Sequence, residues 1–158
     1  YKYIWWFWLP LVGFHPLMIL MMMSISLIYQ FWPHTEIIRK LPNWFEWFFN
    51  TPSHHRVHHA SNARYLDQNH AGILIIWDKL FGTFCPENEN DKPIYGLTTN
   101  IHSTNPLVIV SHEYKSIWKD IKRAPTFADK LRYLFMPPGW SHDGPDLRAK
   151  TLRQSIKK

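Results

Sequence analysis

Thr51-Pro52-Ser53-His54-His55-Arg56-Val57-His58-His59 places four imidazoles in six residues behind a helix-start signal. Threonine suits the capping position, and proline suits the first helical position, where its missing N–H costs nothing. On the helix so predicted, at about 100° per residue, His55, His58 and His59 fall within roughly 100° of arc, and Arg56 and Val57 point elsewhere. His54, one turn before His58, can join from the flank, and spacing alone does not separate a ligand from a supporting neighbour. Neutral imidazole is a strong ligand for iron, copper, nickel and zinc, so the cluster is read as a transition-metal site without fixing the metal.

Upstream of the cluster, no Asp, Glu, Lys or Arg occurs from Tyr3 to Pro33, a stretch longer than the roughly 20 residues a spanning helix needs. Pro10, Gly13 and His15-Pro16 interrupt it, which predicts a first apolar piece around 3–11 and a better helix from Pro16 to about Trp32, as one kinked span or a re-entrant pair. The stretch is too long for a signal peptide and lacks a small-residue cleavage site. Trp5, Trp6, Trp8 and Trp32 suit anchoring at the interface. His34 stands where this helix leaves the bilayer, 21 residues before His55, far enough for a turn, a short aromatic interfacial element over 43–49 and a return. The 14 residues 71–84 are apolar but too short to span, so a buried or interfacial helix ended by Gly82 is predicted there. His70, just before it, is read as a cap, a partner of a ligand, or neither.

The 158 residues suit one domain, and 16% of them are aromatic, with much of the apolar content in the first 50 positions. The single cysteine, Cys85, excludes an intrachain disulfide and a structural thiolate zinc site. Residues 112–158 hold eleven Lys or Arg against five Asp or Glu, an excess equal to the net +6 of the whole chain. A basic stretch after a membrane segment belongs on the cytoplasmic side, near anionic headgroups, and no nucleic-acid motif accompanies it. The last twelve residues read as a solvated helix or frayed end. A zinc-dependent membrane hydrolase is an alternative reading of the histidines, ranked lower because Arg56-Val57 occupies the place of its general base; a metal transporter ranks lower too, since it would require ionisable groups within the span, which holds only His15.

Three stretches together carry a family resemblance: 29–36 (Tyr-Gln-Phe-Trp-Pro-His-Thr-Glu), 50–59 (Asn-Thr-Pro-Ser-His-His-Arg-Val-His-His) and 69–84, with weaker echoes at 95–98 and 137–140. They resemble the third histidine box and following segment of the membrane-bound fatty acid hydroxylase and sterol desaturase superfamily, most of all its ether-lipid branch. The resemblance implies an all-α fold, a membrane-embedded helix bundle with a cytoplasmic helical cap carrying the histidine-box metal site. It implies a non-haem di-iron centre, oxidation of a lipid alkyl chain (ether-lipid cleavage, or sterol or fatty-acid desaturation or hydroxylation as the alternative), and, in the ether-lipid branch, tetrahydrobiopterin as electron donor. No residue of the chain is specific for a pterin. Position by position, His55, His58 and His59 match the third box and His34 matches the histidine ending the preceding helix, with His54 as the remaining candidate. The two earlier boxes have no counterpart, so the chain is expected to be the C-terminal part of a longer protein and inactive alone. Residues 1–110 then form the hydroxylase-type region and 111–158 a basic cytoplasmic extension.

Overall fold

A computed structural model describes residues 5–156, and among them the only regular elements are helices, joined by three isolated β-bridges. Two compact units result, one drawn from segments 5–59 and 67–92, the other from 60–66 and 93–156.

In the first unit, a 3-10 turn over Leu9–Val12 stops at Gly13, whose φ of 100° is left-handed backbone that L side chains resist. Helix α1 (Pro16–Phe31) follows, with His15 extended as its cap and accepting the Leu17 N–H at Nδ1. The interruption is therefore where Pro10, Gly13 and Pro16 predict it; Tyr3 and Ile4 lie outside the described residues. Sixteen residues rise about 24 Å, short of the ~30 Å hydrocarbon core. Among the described residues, no helix is long and apolar enough to cross a membrane.

Helix α2 (Asn43–Phe48) carries the aromatic run, and α3 (Pro52–His58) carries the histidines. Thr51 caps α3 by backbone position only; its hydroxyl donates to Glu46 Oε1 (3.3 Å) instead of accepting a helix N–H. The helix predicted over 71–84 is shortened to α4 (Ile76–Phe81), ended by Gly82 at φ 73°. Residues 71–75 are drawn out because they pair with the chain between α2 and α3: Asn50 N–H donates to Ile73 O (2.7 Å) and Ile75 N–H to Phe48 O (3.0 Å). Asn50 Nδ2 adds a bond to Ala71 O.

The interior of this unit is small and largely polar. Val57 and Ile75 are its fully buried aliphatic side chains, surrounded by Glu46, Asn50, Thr51, Ser53, His54, His55, Gln68, Asn69 and Asp78. Such a core is costly unless its polar groups are bonded, and among the described residues the buried side-chain polar atoms are bonded except Asn50 Oδ1. Asp78 accepts the N–H groups of His70 and Ala71 (2.8 Å each) and the Thr83 hydroxyl (2.6 Å). Asn69, at φ 53°, donates to the carbonyls of His54 and Cys85 and accepts the Cys85 N–H, tying α3 to the chain beyond α4.

The second unit contains α5 (Pro106–Arg123), α6 (Phe127–Phe135) and α7 (Ala149–Ser155). Asn105 caps α5, and Thr126 caps α6 by accepting the Asp129 N–H. Ser61 N–H donates to Ile94 O beside the Ala60–Tyr95 bridge, closing 60–66 onto the rest. Of the two readings of the tail, the helix forms, as α7, and Arg153 ties it down by donating to the Leu66 carbonyl.

Candidate metal centre

His34 leaves α1 after Pro33, and its Nδ1 lies 2.8 Å from the Gln30 carbonyl oxygen. A carbonyl can only accept, so Nδ1 carries the proton and Nε2 presents a lone pair. That lone pair faces α3. His55 Nε2 is 2.8 Å and His59 Nε2 3.2 Å from His34 Nε2, and the two are 3.0 Å from each other. His55 and His59 share one face of α3 because they are four residues apart.

Hydrogen bonding does not account for this triangle. With His34 Nε2 bare, donation from both other rings leaves two N–H groups opposed across the third edge, and fewer protons leave lone pairs opposed. A single cation satisfies all three nitrogens at once. Metal–imidazole bonds of about 2.0–2.1 Å set at right angles put nitrogens about 2.9 Å apart, against about 3.3 Å for a tetrahedral ion. Edges of 2.8, 3.0 and 3.2 Å fit one face of a six-coordinate ion better than a tetrahedral site. Among the described residues, this is the group of His, Cys, Asp or Glu side chains arranged to hold a metal.

Electrostatics point the same way. Burial, reinforced by the neighbouring rings of His34, His59 and His58, pushes His55 from 6.5 down to about 3, and burial, then His58 and His34, lowers His59. Both are neutral near pH 7, the form in which imidazole binds metal.

The other two candidates sit beside this group. The His58 ring stacks 5.6 Å from that of His55, and its Nδ1 is 3.4 Å from Gln68 O. His54 does not join the triangle: its Nδ1 lies 3.3 Å from Phe49 O and its Nε2 3.7 Å from Glu46 Oε2. Burial lowers its pKa, partly offset by the Glu46 carboxylate. The His70 ring is exposed, 6.2 Å from His58, while its backbone N–H serves Asp78.

The sequence reading passed over two acidic residues and a carbonyl. Glu46 lies buried behind α3, accepting from Leu41 N–H and Thr51; Glu87 pairs with Arg56; Gln30 supplies the carbonyl that orients His34. A carboxylate inside the aromatic run 44–49 was the available signal for Glu46. Nothing local marks the other two.

A three-histidine face of this kind, drawn from the end of an apolar helix and a His-x3-His pair on a short one, is where known proteins become informative. Residues 1–83 match the family of fatty acid hydroxylases, and the chain belongs to that family. Its relatives include alkylglycerol monooxygenase of Homo sapiens, 45% identical over 90% of this chain and 32% of the relative, and that of Xenopus tropicalis, 47% identical over 78% of this chain and 27% of the relative. The enzyme of the same name from Caenorhabditis elegans is 42% identical over 73% of this chain and 24% of the relative. The chain thus spans about a third or less of the length of these relatives. No solved structure matches it.

Proposed function

We propose that this chain forms part of a membrane-bound non-haem di-iron monooxygenase that oxidises the alkyl chain of a lipid, with cleavage of an alkylglycerol ether as the particular reaction. The observation that carries the reading is the triangle of Nε2 atoms of His34, His55 and His59, with edges of 2.8–3.2 Å. Iron, when bound, supplies the dioxygen activation needed to attack an unreactive C–H bond, which no side chain can replace. His34, His55 and His59 hold one ion. His58, with Nδ1 toward the Gln68 carbonyl, offers its Nε2 to the second ion, and His54 braces α3 from behind. The Gln30 carbonyl keeps His34 in the tautomer that binds.

Helix α1 buries none of its residues and carries no charged side chain, so lipid is its proposed surrounding. The site then lies at headgroup depth on the cytoplasmic face, with the basic 111–158 extension beside anionic headgroups. Tetrahydrobiopterin as electron donor is proposed on the likeness to the alkylglycerol monooxygenases. The test is metal analysis and turnover of the full-length protein in detergent. Two irons per chain with pterin-dependent aldehyde release from an alkylglycerol support the reading; one zinc and no iron overturns it.

A further inference from the structure

Between two of the triangle's histidines, Arg56 faces away from the metal group and uses all five of its N–H donors. Nε donates to both Glu87 carboxylate oxygens (2.9 and 3.2 Å), and one terminal nitrogen donates to Glu87 Oε2 (2.6 Å) and to Arg39 O (2.5 Å). The other terminal nitrogen donates to Thr35 O (3.1 Å) and Ile38 O (2.9 Å). The segment it grips, 35–39, contains no helix, and Ile37 is 92% exposed. Its own stabilising bonds are few: the Thr35 N–H to Pro33 O and the Ile37 N–H to Thr35 Oγ1. That segment begins at the residue after His34. The guanidinium is nearly buried, at 11% exposure, and its charge is matched by Glu87 at 22%.

We infer that Arg56, held in place by Glu87, is a positioning residue that fixes the His34 segment against α3 and so sets the three-nitrogen geometry. His34 reaches the triangle from the end of α1, whereas His55 belongs to α3 and His59 caps its end. Three carbonyl oxygens within five residues of His34 accept hydrogen bonds from the residue that follows His55, so the two halves of the site are registered by one rigid fork. Lysine offers three donors on a flexible stem and cannot span three carbonyls and a carboxylate together. This inference rests on the metal reading above and adds to it a residue whose guanidinium bonds to Glu87 and the 35–39 carbonyls, away from the three nitrogens.

The experiment follows iron(II) release from the full-length protein into an excess of chelator, comparing wild type with Arg56→Lys, each in the native and the His34→Ala background. A partner that orients a metal ligand changes affinity by about 10–100-fold, so Arg56→Lys is expected to accelerate release by about tenfold or more when His34 is present. In the His34→Ala background the substitution is expected to have no further effect, because there is no ring left to position. An equal acceleration in both backgrounds, or none in either, overturns the inference while leaving the metal reading intact. A wild-type protein that binds no iron removes both. Should Arg56→Lys fail to accumulate, Glu87→Gln, which frees the fork from its anchor, is read by the same four-way comparison.

Discussion

Replacing His55 with alanine removes the nitrogen that lies 2.8 Å from His34 and 3.0 Å from His59, leaving two donors 3.2 Å apart. A four-ligand structural site binds zinc with an apparent 10–16 kcal/mol, or about 2.5–4 kcal/mol per ligand, which converts to roughly 10²–10³-fold in affinity for the loss of one. His54→Ala is the matched control. It lies one residue earlier, with its ring turned to Phe49 O and Glu46, and its loss leaves all three nitrogens in place while removing those contacts. Weakening by about tenfold is expected there, the lower bound for a supporting partner. Iron(II) affinity of the full-length proteins, measured by competition with a chromophoric chelator, reads the ratio directly, and the thermal midpoint of the metal-free forms shows whether each variant still folds. Where alanine does not accumulate, His55→Gln preserves most of the buried volume. Equal losses in the two variants, or undiminished affinity in His55→Ala, refute the reasoning, because the triangle would then not be the binding group.

Other outcomes follow from the scaffold. Asn69→Ala strands the Cys85 N–H and the His54 carbonyl and replaces a residue that tolerates left-handed backbone, at φ 53°, with one that tolerates it less, so a loss of about 2–4 kcal/mol is expected in denaturant melts, with Asn69→Gly milder. Gly82→Ala should cost only about 1 kcal/mol, since its left-handed backbone has open space around it, whereas Gly139→Ala drives a Cβ to within 2.5 Å of the Leu147 carbonyl oxygen. Faster hydrogen exchange at Leu147, whose N–H donates to Gly139 O, reports the second. The Asp129 carboxyl is held below the usual carboxylate range by the Thr126 hydroxyl first and Arg132 next. Its stabilisation is present above the unfolded-state pKa, near 3.8, and is lost as pH falls through the lower folded value. Helical circular dichroism should therefore decline across that acid window in wild type, and Asp129→Asn should flatten that part of the dependence.

What the chain declares locally, it declares well. Proline at the first helical position and a polar residue before it mark the starts of both α1 and α3, and the left-handed glycines at 13 and 82 mark two ends, because these signals act within a few bonds of themselves. Helical spacing alone aligned His55 with His59. It also grouped His58 with them, and there the structure separates a ring sharing the arc from one whose nitrogen joins the triangle. The stretch 71–75 departs from the predicted helix because an apolar run of that length reads equally as helix or extended chain; pairing with 48–50, more than 20 residues away, decides it. Arg56 and Glu87 are 31 residues apart, and Glu46 meets α3 through the fold, so neither relation has a sequence period.

The triangle draws one corner from residue 34 and the others from 55 and 59. An ion seated there is a cross-link closing a ring of about 20 residues, and a tie of that span restricts the unfolded chain by about 3 kcal/mol in the loop-entropy treatment. With an ion bound, the enclosed segment, with its exposed Ile37 and Trp44, would be a clasp fastened by coordination. Proteolytic nicking within 35–45 would then report occupancy of the centre without any substrate being turned over.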